Sequence, residues 1–474
     1  MTSASVLNYF KEITTIPRES GHEEPMTAYL QSFAASHNLE CKTDETGNVL
    51  IIKEAAPGKE NVPAIVLQGH QDMVCEKNAG VQHDFAKDPI KYVVEDGWMI
   101  AKDTTLGADD GIGIAASLAL LESDVPMGRV ECLFTISEET GMDGAEALEE
   151  GFFTGKTLIN LDSEEEGEFC IGCAGGLNTL ATFKYDTENR REGYTRICLR
   201  ISGGIGGHSG EDINKERMNT IQQMARFLYS ELPYEPQLLL LKGGNKPNAI
   251  ARECEAVLAV PDAEATFARF EQFGKDVKGE FSVSDPNVTF CSEYCYLNEK
   301  AVDADTARRF ITALFTCPHG VQAMSQEIKG LVETSTNLAS VRMTEHGVIR
   351  VITSQRSSIT SARKMIAAKV KANFEAAGAE VEHQYEYPGW KPDTQSHVLH
   401  KCIESYKKLF GVDPIVKAIH AGLECGLFLE KFHDLDMISF GPTLLGVHAP
   451  GERMELASLD KFVALLEDVV ANFE

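Results

Sequence analysis

One short stretch, IVLQGHQDMV from Ile65 to Val74, runs from an apolar segment into a histidine and an aspartate one residue apart. Because alternate residues of an extended chain face the same side, we expect His70 and Asp72 to act as a pair. Two interpretations are open: a strand followed by an ordinary polar turn, or a metal-ligand imidazole whose other nitrogen is held by a carboxylate. The second interpretation requires further ligands elsewhere in the chain.

Three other segments place acidic residues beside predicted strands or helices. Asp109 and Asp110 precede a glycine-rich entry into an apolar helix, where carboxylates also serve as ordinary N-caps. Glu138 and Glu139 follow the predicted strand VECLFTI, and Asp162 follows the predicted strand TLINL. We interpret the three glutamates after Asp162 as a solvated run of charge.

A second histidine, His448, lies in the Gly/Pro-rich loop GPTLLGVHAPGERM. The two histidines and the four or five carboxylates are all predicted at strand-to-loop junctions of one sheet. Acids packed this closely raise one another's pKa and destabilise the fold unless cations neutralise them. Imidazole and carboxylate ligands without thiolate favour Zn²⁺, with Mn²⁺ or Co²⁺ as substitutes. The sequence therefore predicts a site for two divalent metal ions.

Six motifs, in this order and spacing, resemble those of a known family: IVLQGHQDMV, TTLGADDGIGIA, SEETGMDGA, LINLDSEE, GGHSGEDI and GVHAPGERM. Nearly end to end, the chain resembles the co-catalytic zinc peptidases, which include carnosinases, aminoacylases and succinyl-diaminopimelate desuccinylases. Within that family it is most similar to the cytosolic branch of aminoacyl-histidine (Xaa-His) dipeptidases. The resemblance implies two Zn²⁺ ions per subunit and hydrolysis of dipeptides that have a free N-terminus.

The resemblance also implies a ligand set for the two zinc ions. It assigns one ion to His70 and Asp162 and the second to Glu139 and His448, with Asp109 as the bridge. The peptide bond after the bridging aspartate is expected to be cis, as in relatives.

Two further acids receive roles in catalysis from the same resemblance. Asp72 would orient His70, and Glu138 would be the general base that takes a proton from the attacking water. Tandem acids suit this chemistry, because one carboxylate binds metal while its neighbour stays free to accept a proton.

Substrate-binding residues are implied in the central part of the chain. His208, in the glycine-rich loop SGGIGGHSGEDI, would stabilise the tetrahedral oxyanion. Asn248 and Arg356 would grip the terminal carboxylate of the substrate, a task that suits a planar fork of donors. Without the resemblance, these residues would be interpreted as a solvated imidazole, a turn amide and a surface guanidinium.

Two other pairs resemble metal sites less closely. His420 and Glu424, four residues apart, lack the second histidine of a His-Glu-x-x-His motif and are interpreted as structural or supporting residues. Cys170 and Cys173 have no second pair to complete a zinc site, so a structural role is expected.

Two alternative functions of the chain are open: an N-acyl amino acid deacylase with the same metals, and a metal-binding protein without catalysis.

The elements that must position these residues form an α/β arrangement. Residues 1–190 alternate helices with short apolar strands, as in a mixed-sheet α/β/α sandwich, and 386–474 add two helices and two strands that complete this catalytic domain. Residues 191–385 show two similar successions of helices and strands. They predict an inserted α+β domain of two halves. The resemblance implies that this domain serves as lid and dimerisation domain.

Composition excludes some functions. The chain has 474 residues and a net charge of −28, which opposes binding to nucleic acid or to an anionic membrane. No apolar run reaches membrane-spanning length, and the first residues do not form a secretory signal. Twelve dispersed cysteines suit reduced thiols in a cytoplasm. We expect a cytoplasmic enzyme, and the resemblance implies a homodimer.

Overall fold

The chain is described here by a computed structural model that covers residues 1–296, 299–345 and 347–474. Its helices are α1 (Ser3–Ile13), α2 (Glu24–Ser36), α3 (Ala108–Glu122), α4 (Asp143–Ala147), α5 (Thr220–Glu231), α6 (Ala263–Glu280), α7 (Ala304–Thr316), α8 (Thr360–Ala376), α9 (His397–Phe410), α10 (Glu424–Lys431) and α11 (Leu456–Ala471). None of the helices in these ranges is long and apolar enough to span a membrane.

The strands up to the middle of the chain are β1 (Glu40–Thr43), β2 (Val49–Lys53), β3 (Ile65–His70), β4 (Tyr92–Glu95), β5 (Trp98–Ala101), β6 (Val130–Thr135), β7 (Thr157–Asn160), β8 (Glu168–Cys173), β9 (Gly175–Lys184), β10 (Thr187–Glu188), β11 (Thr195–Ser202) and β12 (Gln237–Gly244). The remaining strands are β13 (Cys254–Val260), β14 (Thr289–Tyr294), β15 (Ala301–Val302), β16 (Gly320–Met324), β17 (Val332–Glu345), β18 (Val348–Ser357), β19 (Glu380–Tyr387), β20 (Ile415–Ile419), β21 (Asp436–Ser439), β22 (Leu444–Leu445) and β23 (Arg453–Glu455).

The chain divides into two compact units. The first unit comprises Met1–Cys173, Trp390–Ala418 and Leu423–Glu474, and the second comprises Ala174–Gly389 and Ile419–Gly422. The first boundary therefore lies before β9 rather than near residue 190, because β9 pairs along its whole length with β18. A short return of the chain also joins the second unit, since the amide of Ala174 donates to the carbonyls of Ile419 and Ala421.

The first unit is built on an eight-stranded mixed sheet with the order β1-β2-β6-β3-β7-β21-β8-β20. Strands β6, β3, β7 and β21 are parallel to one another, whereas β1 and β2 are antiparallel. Every residue of β3, β6 and β7 is buried, so both faces of the sheet are covered. The predicted mixed-sheet α/β class is confirmed, and the strands near the C-terminus complete this sheet as expected.

Parallel pairing explains why His70, Glu139 and Asp162 lie at one edge of the first sheet. The prediction that all ligands follow strands of one sheet is wrong for Asp109, at the start of α3, and for His448, which follows β22 of another sheet. The carboxyl ends of β3, β6 and β7 are neighbours, because His70 pairs with Thr135 and Gln68 pairs with Asn160. The loops that follow these strands therefore start side by side. A separate four-stranded antiparallel sheet, β22-β23-β5-β4, was not predicted from the sequence.

The second unit contains a nine-stranded antiparallel sheet with the order β14-β11-β13-β12-β17-β18-β9-β19, to which β16 adds on β17. One half of this sheet comes from β11 to β14 with α5 and α6, and the other from β9 and β16 to β19 with α7 and α8. The halves join where Gly243 of β12 pairs with Val341 of β17. The prediction of two similar α+β halves is confirmed.

Candidate functional site

Two imidazoles of the first unit converge on one carboxylate. His70, at the end of β3, is fully buried, and its Nε2 lies 2.9 Å from Asp109 Oδ1. The Nε2 of His448 lies 3.0 Å from the other oxygen of the same carboxylate, Oδ2. Asp109 therefore lies between the two histidines, one on each oxygen.

Each imidazole has a second acidic neighbour. Asp162 Oδ1 lies 3.5 Å from His70 Nε2, and Glu139 Oε2 lies 3.0 Å from His448 Nε2. The side-chain atoms form compact groups in which all donors lie within 4.8 Å of one another, and two of these groups are His70–Asp109–Asp162 and Asp109–Glu139–His448. Asp109 belongs to both groups. A third group of the same kind is His70–Glu138–Glu139.

The two adjacent aspartates at the start of α3 contact different partners. Asp109 faces the imidazoles, while Asp110 turns to its own helix, where Oδ1 accepts from the amide of Gly113 at 3.1 Å. Burial, with the neighbouring charge of Asp109, raises the pKa of Asp110 to about 8. The peptide bond between the two aspartates is cis, as predicted. N-capping and convergence on the histidines are thus both present, one on each residue.

Asp72 holds two parts of the cluster at once. Its Oδ1 lies 3.3 Å from His70 Nδ1 and accepts from the amide of Glu138 at 3.0 Å. Its Oδ2 accepts from the amide of Glu139 at 3.2 Å and from Ser20 Oγ at 2.7 Å. Although burial alone would raise it, these contacts lower the pKa of Asp72 to about 2. Asp72 is therefore a fixed anion between His70 and the tandem glutamates.

The pKa values of the cluster reflect the accumulation of negative charge that the sequence predicted. Burial raises the pKa of Glu138 to about 8, helped by the charges of Glu424 and Glu139. Burial and the charge of Asp109 raise the pKa of Asp162 well above its usual range. Hydrogen bonds to Asp109 and Glu139 raise the pKa of His448 to about 10. Without added cations, the cluster therefore retains protons that exposed groups would lose.

The second unit contains the other predicted site residues. Arg356, near the end of β18, is only 7% exposed, and its Nη1 donates to Tyr387 Oη at 3.1 Å. Its Nε is buried without a hydrogen-bond partner. His208 Nε2 lies 3.5 Å from Arg356 Nη2. The structure thus brings His208 and Arg356 together within one chain.

The hydrogen bonds of His208 decide which of its nitrogens is a donor. The amide of Glu211 donates to Nδ1 at 3.3 Å, so the proton of a neutral ring lies on Nε2. Burial and the charge of Arg356 lower the pKa of His208, which favours that neutral ring. With that tautomer two donors, His208 Nε2 and Arg356 Nη2, lie side by side, an arrangement that suits a shared acceptor.

Asn248 is placed next to His208 by the backbone. Its carbonyl accepts from the amide of Ser209 at 2.8 Å, while its side chain is exposed. Asn337 Nδ2 donates to the carbonyl of Ala249 at 2.8 Å and so holds this loop against the sheet.

His420 and Glu424 do not form a pair on one helix face, because α10 begins only at Glu424. His420 belongs to the second unit, where its Nε2 contacts Ser335 Oγ at 2.8 Å. Glu424 belongs to the first unit and accepts from Gln68 Nε2 at 2.6 Å and from Thr135 Oγ1 at 2.9 Å. Both are buried supporting residues, in agreement with the prediction. Cys170 and Cys173 are buried and are not joined by a disulfide.

Sequence reasoning missed Arg18, Ser20 and Glu452, which support the cluster, and Tyr387, which contacts Arg356 in the second unit. Arg18 lies in the segment PRES and Glu452 in the motif GVHAPGERM, but charged residues in loops gave no signal that distinguishes a buried partner from a solvated one.

Comparison with known proteins assigns the chain to a family. The model of peptidase family M20/M25/M40 matches residues 66–472. The chain therefore belongs to this family of peptidases.

Individual relatives agree with that assignment. The chain is 37% identical to the cytosol non-specific dipeptidase of Escherichia coli K12 over 97% of its own length and 96% of the relative. It matches the crystal structure of the aminoacylhistidine dipeptidase from Vibrio alginolyticus with a TM-score of 0.93 and 37% identity, covering 99% and 97% of the two chains. Aminopeptidase PepT from Bacillus cereus shares the fold, with a TM-score of 0.59 at 17% identity.

Proposed function

We propose that the chain is a two-zinc dipeptidase that hydrolyses dipeptides with a free N-terminus, including those of the Xaa-His type. The observation that carries the proposal is the Asp109 carboxylate, which meets His70 on one oxygen and His448 on the other. Such an arrangement suits a carboxylate shared by two metal ions. The named activities of the Escherichia coli and Vibrio relatives, a non-specific dipeptidase and an aminoacylhistidine dipeptidase, support the substrate class.

The side chains of the cluster fit divalent metal ions. The donors are imidazole and carboxylate groups, the ligand types that Zn²⁺, Mn²⁺ and Co²⁺ accept. Glu139 Oε1 is buried without a hydrogen-bond partner, as expected of a ligand atom. Under the proposal one metal is held by His70, Asp109 and Asp162, and the other by Asp109, Glu139 and His448. Zinc is the metal we propose, with Mn²⁺ or Co²⁺ as substitutes.

Glu138 is the proposed general base. Two divalent ions, when bound, lower the pKa of water towards neutrality and polarise the scissile carbonyl. Glu138 takes the proton from the attacking water and later gives it to the leaving amine. Its backbone amide is fixed by Asp72 Oδ1, so the carboxylate starts from a defined position. Asp72 also holds His70 in orientation.

The polar groups of the second unit are proposed to recognise the substrate's terminal carboxylate and the developing oxyanion. Arg356 offers a buried guanidinium whose Nε is unpaired. His208 adds a neighbouring donor, and the exposed amide of Asn248 lies on the adjacent loop. A carboxylate would supply an acceptor to the unpaired Arg356 Nε and to the neighbouring donors.

A deacylase of N-acyl amino acids would use the same metal ions, so the substrate's amino terminus separates the two functions. Purified protein should be assayed side by side with alanyl-histidine, β-alanyl-histidine and an N-acetyl amino acid, with bound metal measured in the same samples. We expect hydrolysis of the dipeptides and little of the acetylated compound. Preferred cleavage of the acetylated compound would support the deacylase, and metal binding without any turnover would support a non-catalytic protein.

The assembly and location remain predictions. We propose a homodimer, which a mass of two chains by light scattering would support and a mass of one chain would refute. A cytoplasmic location is supported by the twelve cysteines, none of which forms a disulfide in the part of the chain that the structure describes. Fractionation of the source cells tests this location.

A further inference from the structure

Arg18 is a buried side chain that joins two ligand-bearing segments of the first unit. It is 2% exposed. Its Nη1 donates to the carbonyls of Gln71 and Asp72, at 3.1 and 2.5 Å, and its Nη2 donates to the carbonyl of Gly107. The first two acceptors directly follow the proposed ligand His70. The third precedes the proposed bridging aspartate by two residues.

Glu452 binds the other side of the same loop. Its carboxylate, 2% exposed, accepts from four consecutive backbone amides. Oε2 accepts from Leu106 and Gly107 at 2.7 and 3.1 Å, and Oε1 accepts from Ala108 and Asp109 at 2.8 and 3.5 Å. Hydrogen bonds from backbone amides to an ionised carboxylate are among the stronger kind. Glu452 therefore fixes the backbone from which the Asp109 side chain projects.

The segment that carries Glu452 also carries His448, so it meets the bridging aspartate twice. The His448 imidazole contacts the Asp109 carboxylate, and the Glu452 carboxylate holds the Asp109 backbone. Between them, the amide of Gly451 donates to the carbonyl of Thr104 at 2.9 Å. Two ligand-bearing segments, those of His70 and His448, are thus tied to loop 106–109, which itself carries Asp109.

The loop is shaped around the guanidinium. Gly107 has a φ of +68°, and a Cβ at this position would lie 2.5 Å from Arg18 Nη2 and 2.7 Å from Met73 Sδ. A Cβ at Gly111 would lie 2.7 Å from the same Nη2. Larger residues at either position would displace Arg18. The glycines therefore leave the space that the buried cation occupies.

We propose that Arg18 and Glu452 are positioning residues, which hold loop 106–109 so that the Asp109 carboxylate meets both imidazoles. This inference rests on the proposed function, because it assigns Asp109 to two metal ions. Neither residue is required to touch metal or substrate. Their effect is expected on the affinity for both metal ions, since the shared carboxylate is a ligand of each.

The test uses Glu452→Gln and Arg18→Lys in the full chain. Apo protein is titrated with Zn²⁺ against a competing chelator, in the absence of substrate. Glutamine replaces one acceptor oxygen by a donor, and lysine keeps the charge but loses the planar fork of donors. Because partners that orient ligands typically contribute 10- to 100-fold in metal affinity, we expect both zinc affinities to fall by about that factor.

Glu131→Gln is the matched control. Glu131 is a fully buried carboxylate of the same unit, and it accepts from the amides of Thr154 and Gly155 at 2.7 and 2.9 Å. Its substitution disturbs a comparable carboxylate that holds a loop outside the cluster. We expect lower thermal stability with unchanged zinc affinity. Equal losses of zinc affinity in Glu131→Gln and Glu452→Gln would overturn the inference.

Hydrogen exchange in the metal-free protein gives a second readout. We expect faster exchange of amides 106–109 in both variants and not in the control. Wild-type zinc affinity in a folded Glu452→Gln or Arg18→Lys protein would overturn the inference. If Glu452→Gln does not fold, Arg18→Lys still tests the inference, because Arg18 binds the Gly107 carbonyl of the same loop.

The two proposals fail in different ways. A wild-type chain that binds two zinc ions but hydrolyses no dipeptide would refute the proposed function alone, because the zinc titration requires no turnover. Unchanged zinc affinity in variants of an active dipeptidase would refute the positioning role alone.

Discussion

His448 Nε2 lies 3.0 Å from Asp109 Oδ2, although 339 residues separate the two along the chain. The other oxygen of Asp109 contacts His70, which comes from a different strand end. One carboxylate therefore connects the first and last parts of the chain. We therefore take Asp109 as the centre of the site.

Substitution of the proposed ligands should remove specific metal ions. His70→Ala and His448→Ala should each lower the zinc content from two ions per chain to about one. Asp109→Ala should lower it further, because each ion loses the shared carboxylate. The zinc content of dialysed protein, measured by atomic emission, checks this order. His400→Ala, which changes an exposed histidine of the same unit, should retain both ions.

Unchanged zinc content in His70→Ala or His448→Ala would remove that residue from the ligand set. Loss of both ions in every variant, His400→Ala included, would instead indicate general unfolding.

Glu138→Gln should separate metal binding from turnover. The amide keeps the shape of the side chain but cannot accept the proton, so we expect unchanged zinc content and a fall in kcat of about 10²- to 10⁴-fold. Steady-state kinetics with alanyl-histidine measures the effect. Glu149→Gln, on an exposed glutamate, serves as control. A kcat above about a tenth of the wild-type value would exclude Glu138 as the general base.

Arg356→Met should weaken recognition of the substrate's carboxylate. Methionine keeps much of the apolar length and removes the charge and the donors. Because hydrogen bonds to charged groups contribute about 1.5–3 kcal/mol, kcat/KM for a dipeptide should fall about 10- to 150-fold. The C-terminally amidated dipeptide should be a poor substrate of the wild type and change little in the variant.

Enzyme and substrate then form a double-mutant cycle, whose coupling isolates the contact between Arg356 and the carboxylate. Equal losses for the acid and the amide would mean that Arg356 acts only through the fold, for example through its contact with Tyr387.

The stability of the chain should depend on pH through His420. Burial lowers the pKa of His420 to about 3, with smaller contributions from the charges of Arg356 and His208. An unfolded histidine titrates near 6.5. Below that pH the unfolded chain binds a proton that the folded chain does not, so stability present above pH 6.5 is lost as the pH falls towards 3.

The slope from this one group approaches about 1.4 kcal/mol per pH unit. Between pH 7 and pH 5, His420→Gln should therefore lose less unfolding free energy than the wild type, by about 2 kcal/mol. Urea unfolding at the two pH values measures the difference, and His22→Gln, at an exposed histidine, controls for loss of an imidazole. Identical pH dependence in the wild type and His420→Gln would contradict the prediction.

Much of the framework was predictable from short-range patterns. The apolar runs that became β3, β6 and β7 are continuous and bounded by polar loops, which indicates buried parallel strands. Parallel strands bring their carboxyl ends to one edge, so residues after each strand could be grouped before any contact was known. The cis bond after Asp109 came from resemblance and not from the pattern.

The parts of the fold and the site that could not be predicted depend on long-range contacts, which no local sequence pattern encodes. The boundary before β9 follows from pairing with β18, more than 160 residues away, which hydrophobic periodicity does not specify. Arg18 and Glu452 act through backbone carbonyls and amides, whose positions exist only in the folded chain. Tyr387 contacts Arg356 because their strands, β19 and β18, both pair with β9.

Titration of apo protein with Zn²⁺, with alanyl-histidine hydrolysis measured at each step, tests whether the cluster around Asp109 is a two-metal dipeptidase site. We expect two ions to bind per chain and full activity to be reached only at two equivalents, because both sites share Asp109. Full hydrolysis without added metal, or two bound ions with no hydrolysis of any dipeptide, would contradict this expectation.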